Sequence, residues 1–129
     1  MQLDHVWLGG GKVDTRSLGE LGERVAEAFL CMKGFTILAR NYRFARREID
    51  LIARKGGDLI AVEVKLRRGD RFGAAVEAVD SRKVARLAVA IEGFIRSRND
   101  FGRPRIDLVV IDVSPDMLEM TVRHLEGIC

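Results

Sequence analysis

The stretch 48–65, Glu-Ile-Asp-Leu-Ile-Ala-Arg-Lys-Gly-Gly-Asp-Leu-Ile-Ala-Val-Glu-Val-Lys, admits few folds because it reads as one β-hairpin. Two runs rich in β-forming residues flank Lys55-Gly56-Gly57-Asp58, and a Gly-Gly centre can take the positive φ angles of a two-residue turn. If Lys55 closes against Asp58, then Ala53 faces Ile60, Leu51 faces Val62 and Ile49 faces Val64. All six are apolar, and strand alternation puts them on one face that is expected to be buried. The other face pairs Arg54 with Leu59, Ile52 with Ala61, Asp50 with Glu63 and Glu48 with Lys65. Directly opposed side chains have Cβ atoms roughly 4.5–5.5 Å apart, where like charges destabilise the pair. A proton or a hard divalent cation with oxygen ligands relieves that repulsion. Lys65, two residues beyond Glu63 on the same face, would then hold a water or a developing negative charge. The bland alternative is a surface salt-bridge cluster of Asp50, Glu63, Lys65, Arg54 and Glu48. Against it stands the pairing of acid with acid, which stability alone does not select.

The chain has 129 residues, enough for one domain with a real core. Residues 17–129 are expected to form that domain, and 1–16, with Gly9-Gly10-Gly11, an N-terminal arm. No apolar run is long enough to span a bilayer, and a basic stretch followed by a sustained apolar one is missing from the start, so a cytoplasmic location is expected. Cys31 and Cys129 are too few for a disulfide framework or a zinc cluster and read as free thiols. The net charge is only +3, but basic residues crowd around the hairpin: Arg40, Arg43, Arg46, Arg47, Arg54 and Lys55 on one side, Lys65, Arg67, Arg68 and Arg71 on the other. A polyanionic partner and a solvated basic face both account for that crowding.

A first helix is expected over 17–33, where Ser17-Leu18-Gly19-Glu20 fits a capping box and Gly34 ends the run. Leu18, Leu21, Val25, Ala28, Phe29 and Met32 recur at helical spacing as its core stripe, with Ala26 and Leu30 widening the arc and Glu23 at its edge. Glu23 is therefore the helix carboxylate best placed to reach inward. A strand over 35–43 precedes the hairpin, a basic loop over 67–71 follows it, and a short helical turn is expected around 76–79. Asp80 or Ser81 can cap a second helix with Val84, Leu87, Ala88, Ile91 and Phe94 or Ile95 as its core face. Lys83 lies in the first turn of that helix, where the macrodipole disfavours a cation; a grip on phosphate and an ordinary solvated lysine both account for this misfit. Residues 106–113 read as a strand buried on both faces and 117–125 as an edge strand, with His124 a lone histidine of structural character. The order α-β-β-β-α-β-β makes an α/β sandwich with a mixed central sheet.

Asp50 followed by Glu63-Val64-Lys65 resembles the D…E-x-K signature of the restriction-endonuclease-like (PD-D/E-x-K) nuclease superfamily. The ordered set Gly22-Glu23 with Ala26, Gly34-Phe35, Asn41-Tyr42-Arg43, Glu48-Ile49-Asp50-Leu51-Ile52, Val62-Glu63-Val64-Lys65 with Arg67, Phe72-Gly73, Lys83 and Arg105-Ile106-Asp107 is similar to the YraN-like family within it. The resemblance covers about 18–113 and implies a restriction-endonuclease-like fold. It implies Mg2+ or Mn2+ held by Asp50, Glu63 and the carbonyl of Val64. Lys65 would orient and activate the attacking water or stabilise the transition state, and Glu23 would match the helix carboxylate of archaeal Holliday-junction resolvases. The implied substrate is nucleic acid, DNA first, including branched recombination intermediates; a homodimer would supply two sites for symmetric cutting. Arg43, Arg47, Arg67, Arg68, Arg71 and Lys83 would contact it, Arg47 standing where the family has a small residue. The alternative on the same fold is a nucleic-acid-binding or recombination-accessory module that does not cut.

Overall fold

The computed structural model describes residues 15–69 and 80–128. Residues 1–14 of the expected N-terminal arm, Asp70 to Gly73, the turn around 76–79 and Cys129 lie outside them; Thr15 and Arg16, expected in the arm, are helical, and Arg67 and Arg68, expected in a loop, are in a strand. The described elements run α1 (Thr15–Met32), β1 (Thr36–Phe44), β2 (Arg47–Lys55), β3 (Asp58–Arg68), α2 (Ser81–Ser97), β4 (Arg103–Val113) and β5 (Met120–Leu125). This is the expected order. The strands form one sheet, β1-β2-β3-β4-β5, antiparallel except where β3 pairs with β4 in parallel. A parallel pair needs a long crossover, and the chain spends α2 on it.

The two helices cover opposite faces. Ala26 and Leu30 of α1 join Leu51, Ala53, Ile60, Val62, Val109 and Ile111 in one core. Leu87, Ala90, Ile91 and Phe94 of α2 join Ile49, Ile52, Leu59, Ala61 and Ile106 in the other. The central strands are buried on both sides, so Ile106 to Ile111 carries an apolar run broken only by Asp107. β5 is an edge strand as expected, but it starts at Met120, because Met117, at a φ of 66°, still belongs to the preceding turn.

Two expectations for α1 need correction. Helix α1 begins at Thr15, so Ser17 is inside it rather than capping it. Its most buried line is Gly22, Ala26 and Leu30, while Met32 is 88% exposed. Small residues draw the helix onto the sheet: a Cβ added at Gly22 would lie 3.1 Å from the Cβ of Leu66. That close approach turns the neighbouring Glu23 toward the sheet.

The hairpin closes in the expected register, with Lys55 against Asp58 and Leu51 against Val62. Of the two turn glycines only Gly56 takes a positive φ, 58°. The ladder ends at Leu51, however, and the expected pairs Asp50–Glu63, Ile49–Val64 and Glu48–Lys65 are not part of it. Ile49 packs on the α2 side with Ile52, whereas Leu51 packs on the α1 side, so the six expected apolar partners do not share one face. Across from Asp50 on β1 stands Asn41, at a φ of 49°. β1 and β2 keep their register past it, from Arg40–Leu51 to Tyr42–Ile49, while β2 parts from β3 beyond Leu51.

At the far end of the β1–β2 hairpin, Phe44 pairs with Arg47 around a two-residue turn of Ala45 and Arg46. Both take positive φ, 49° and 69°, without a glycine. Left-handed backbone of this kind costs a Cβ-bearing residue about 1–2 kcal/mol.

Candidate active site

The split between β2 and β3 opens a place that main-chain pairing would otherwise fill. There the Val64 amide donates to Oδ2 of Asp50 at 2.8 Å, a side chain standing in for the missing ladder bond. Glu63, one residue earlier, continues the alternation of Leu59 and Ala61 and so points to the α2 side, where it is 3% exposed. Two lysines meet it. Lys65 Nζ lies 3.2 Å from Oε2, and Lys83 Nζ, from the first turn of α2, makes an ion pair with the same oxygen. Asp80 caps α2 as expected, accepting from the Lys83 amide at 3.0 Å, which sets the position from which Lys83 reaches down.

The electrostatics follow from burial and crowding. Removal from water, then the Glu63 charge, push the Asp50 carboxyl up to about 7, against the lowering effect of the Val64 amide. Glu63 is buried rather than part of a surface salt-bridge cluster, and its charge is met by the two ammoniums. Burial works against the charge of Lys83, but its bond to Glu63 and that group's charge prevail, so its ammonium is held above the usual lysine value. Glu23 approaches from α1, accepts from Asn41 Nδ2 at 3.3 Å, and is raised by burial and by the charges of Glu48, Glu20 and Glu63.

Among the described residues no three His, Cys, Asp or Glu side chains gather closely enough to form a ready-made metal cage. What the site offers a cation is narrower: two hard carboxylates, with Asp50 holding its proton to near neutrality through burial first and the Glu63 charge second, beside the main chain of Val64. That donor set suits Mg2+ or Mn2+, which take few protein carboxylates and keep waters. Glu23 stands at the rim.

The expected basic contacts divide. Arg43 is exposed and lies 3.5 Å from Glu48. Arg47 donates from Nη1 to the Ala45 carbonyl at 3.2 Å, and its Nε is buried without a partner. Arg68 is tied to the Pro115 carbonyl on the β4–β5 turn by bonds of 3.3 and 2.7 Å. Arg67 is half-buried. Lys83 is in the carboxylate site itself, a place that sequence reasoning had not given it, though its misfit in the first turn of α2 was the available signal.

His124 is structural in its contacts, as read. Its Nε2 lies 2.8 Å from Asp107 Oδ2, and its Nδ1 lies 2.6 Å from Lys33 Nζ. Asp107, fully buried, also accepts from Arg105 through two 2.9 Å bonds and from the Gly127 amide at 2.9 Å. This network fastens the segment after β5 to the sheet.

Comparison with known proteins bears on the whole arrangement. The model of a family described as uncharacterised protein family UPF0102 matches residues 22–111. A UPF0102 protein of Symbiobacterium thermophilum is 45% identical over 103 residues, covering 79% of this chain and 87% of its own length. One from Roseiflexus castenholzii is 40% identical over 110 residues, covering 84% and 89%. One from Neisseria meningitidis is 40% identical over 97 residues, covering 74% and 84%.

Proposed function

The chain belongs to the uncharacterised protein family UPF0102, the YraN-like family, and from that premise we propose that it is a metal-dependent nuclease hydrolysing phosphodiester bonds in nucleic acid, DNA first. The observation that carries this reading is the half-buried Asp50 beside the buried Glu63, with two lysines on one oxygen of Glu63. The nuclease superfamily, a preference for branched recombination intermediates, a homodimer and a cytoplasmic place of action are parts of the same reading. In support of the last, no helix among the described residues is long and apolar enough to cross a membrane.

Mg2+ or Mn2+ held by Asp50, Glu63 and the Val64 carbonyl would supply Lewis acidity at a phosphate oxygen and an acidified water. The chain's own residues do the rest. Lys65 and Lys83 hold positive charge beside the reacting phosphate, where the transition state gathers negative charge. The Val64 amide keeps Asp50 oriented, and Glu23 adds a carboxylate at the rim that can accept a proton from water.

A second reading has its own observation. Lys65 and Lys83 both pair with Glu63, an arrangement that also fits a module that binds nucleic acid and does not cut. One experiment separates the two: purified protein with labelled junction, flap and linear DNA, and with RNA, in Mn2+. The nuclease reading expects metal-dependent products that disappear in Asp50→Asn and Glu63→Gln. Products unchanged in both variants would mark a contaminant, and salt-sensitive binding without products would establish the binding module.

A further inference from the structure

Beside the carboxylate pair, on the α2 side, lies a pocket of about 240 Å³ lined by Arg46, Arg47, Glu48, Lys83, Arg86 and Leu87. We propose that this pocket is a phosphate-binding subsite, separate from the carboxylate pair, that holds a phosphate group of the nucleic acid next to the one being attacked. It deepens the nucleic-acid reading above and rests on it for the identity of the polyanion.

The first argument is charge. Four cationic side chains line the pocket against one carboxylate, Glu48, which already faces Arg43. Lys83 is paired with Glu63. Among the described residues no carboxylate stands within ion-pair reach of Arg46, Arg47 or Arg86. Asp80 acts on Arg86 only from beyond ion-pair distance and Glu48 is shared with Arg43, so the pocket keeps an excess of positive charge that an anion between the guanidinium groups offsets.

The second argument is an unsatisfied donor. Arg47 Nε is shut off from solvent with no acceptor, while Nη1 of the same group bonds only the Ala45 carbonyl. Buried donors of charged groups are rarely left unpaired unless a ligand or ion completes them. The third is the turn that carries Arg46: the two-residue hairpin between Phe44 and Arg47 holds Ala45 and Arg46 at positive φ without a glycine, which fixes the main chain from which Arg46 reaches the pocket.

Size selects the ligand. Pockets for drug-sized molecules run from roughly 300 to 1,000 Å³, so this one takes a compact anion rather than a base with its sugar. Guanidinium forks match the oxygens of a phosphate. Lys83 lines the pocket and touches Glu63 at once, which makes the bound phosphate a neighbour of the reacting one.

The phosphate could be an internal diester or a terminal monoester, and the test distinguishes them. Internally labelled duplex DNA with either 5′-phosphate or 5′-hydroxyl ends is titrated by fluorescence anisotropy in EDTA, so that metal binding and cleavage play no part. Arg46→Gln/Arg86→Gln, at two exposed positions, is compared with the charge-matched Arg96→Gln/Arg98→Gln at the other end of α2, with circular dichroism confirming that both are folded. The subsite predicts a loss of about tenfold or more at low salt for the first variant only, with the salt slope reduced by about one per lost contact. Equal loss on both duplexes assigns an internal diester; loss confined to the 5′-phosphate duplex assigns the terminal group. Equal weakening by both variants, or none by either, overturns the subsite even if cleavage in Mn2+ is found. The subsite stands if binding behaves as expected and no cleavage is seen.

Discussion

Lys83 of α2 and Lys65 of β3 place their ammonium groups on the same oxygen of Glu63, a carboxylate only 3% exposed. The charge is thus met from two layers of the fold, strand and helix. Removing one of two partners from a buried ion is expensive but leaves the other in place. Lys83→Met should cost about 1–3 kcal/mol in urea denaturation. The same substitution in a Glu63→Gln background should cost clearly less, since the charge it answers is gone.

Asp50 sets a pH dependence of stability. Its folded value of about 7 lies above the ordinary 3.8, so the folded state binds the proton more tightly than the unfolded chain. Its contribution is fully present below about 3.8 and is lost as pH rises through about 7. Asp50→Asn, which mimics the protonated form and can still accept from the Val64 amide, should flatten this decline. At pH 8 without divalent ions it should be more stable than the parent by about 1–3 kcal/mol, read from denaturant midpoints at pH 5 and pH 8.

A divalent cation should reverse that advantage. Calorimetric titration with Mn2+ at pH 6 should show proton release on binding, because Asp50 must lose its proton to become a ligand. Repeating it in buffers of different ionisation enthalpy counts the protons. At one hundred times the dissociation constant the parent should gain about 2.7 kcal/mol of stability, and Asp50→Ala should gain none. Equal Mn2+ heats in both would remove Asp50 from any metal site.

Gly93 tests the packing that supports the β1–β2 turn. A Cβ there would meet the Phe44 ring at 2.6 to 2.9 Å. Alanine favours a helix over glycine by about 1 kcal/mol, yet overpacking costs about 1–3 kcal/mol. Gly93→Ala should therefore be destabilised on balance, with a lower melting temperature.

Asp107 tests the other pole of the molecule. Burial alone would raise its carboxyl, but the bonds from His124, Arg105 and Gly127 outweigh it and hold the group below the ordinary 3.8. The stability it brings is present above that value and lost as pH falls below it. Asp107→Ala, which strips His124 and the Gly127 amide of their acceptor while Arg105 keeps Asp58 and Glu126, should cost about 1–3 kcal/mol at pH 7. The deficit should shrink below pH 3.8, as seen by comparing urea curves at the two values.

The order of elements was legible in the chain because helices and strands write their periods locally. The Lys55–Asp58 closure was legible because Gly56 permits the turn and alternation beyond it allows one register. Asp80 could be read as a cap from its place before an amphipathic run. The buried line of α1 was read one step off, since Leu and Met look more like core than Gly22 and Ala26 do, and only contact with Leu66 shows that small size was needed.

What local pattern settled, then, is the sheet, the two covering helices and the nearness of Asp50 to Glu63, all consequences of side-chain period and turn chemistry. The parting of β2 from β3 at Asp50, the shift of Ile49 to the α2 face, the reach of Lys83 to Glu63 and the pocket of arginines beside the β1–β2 turn were decided in three dimensions. They depend on how far a helix in one layer stands from a strand in another, and no spacing along the chain encodes that distance.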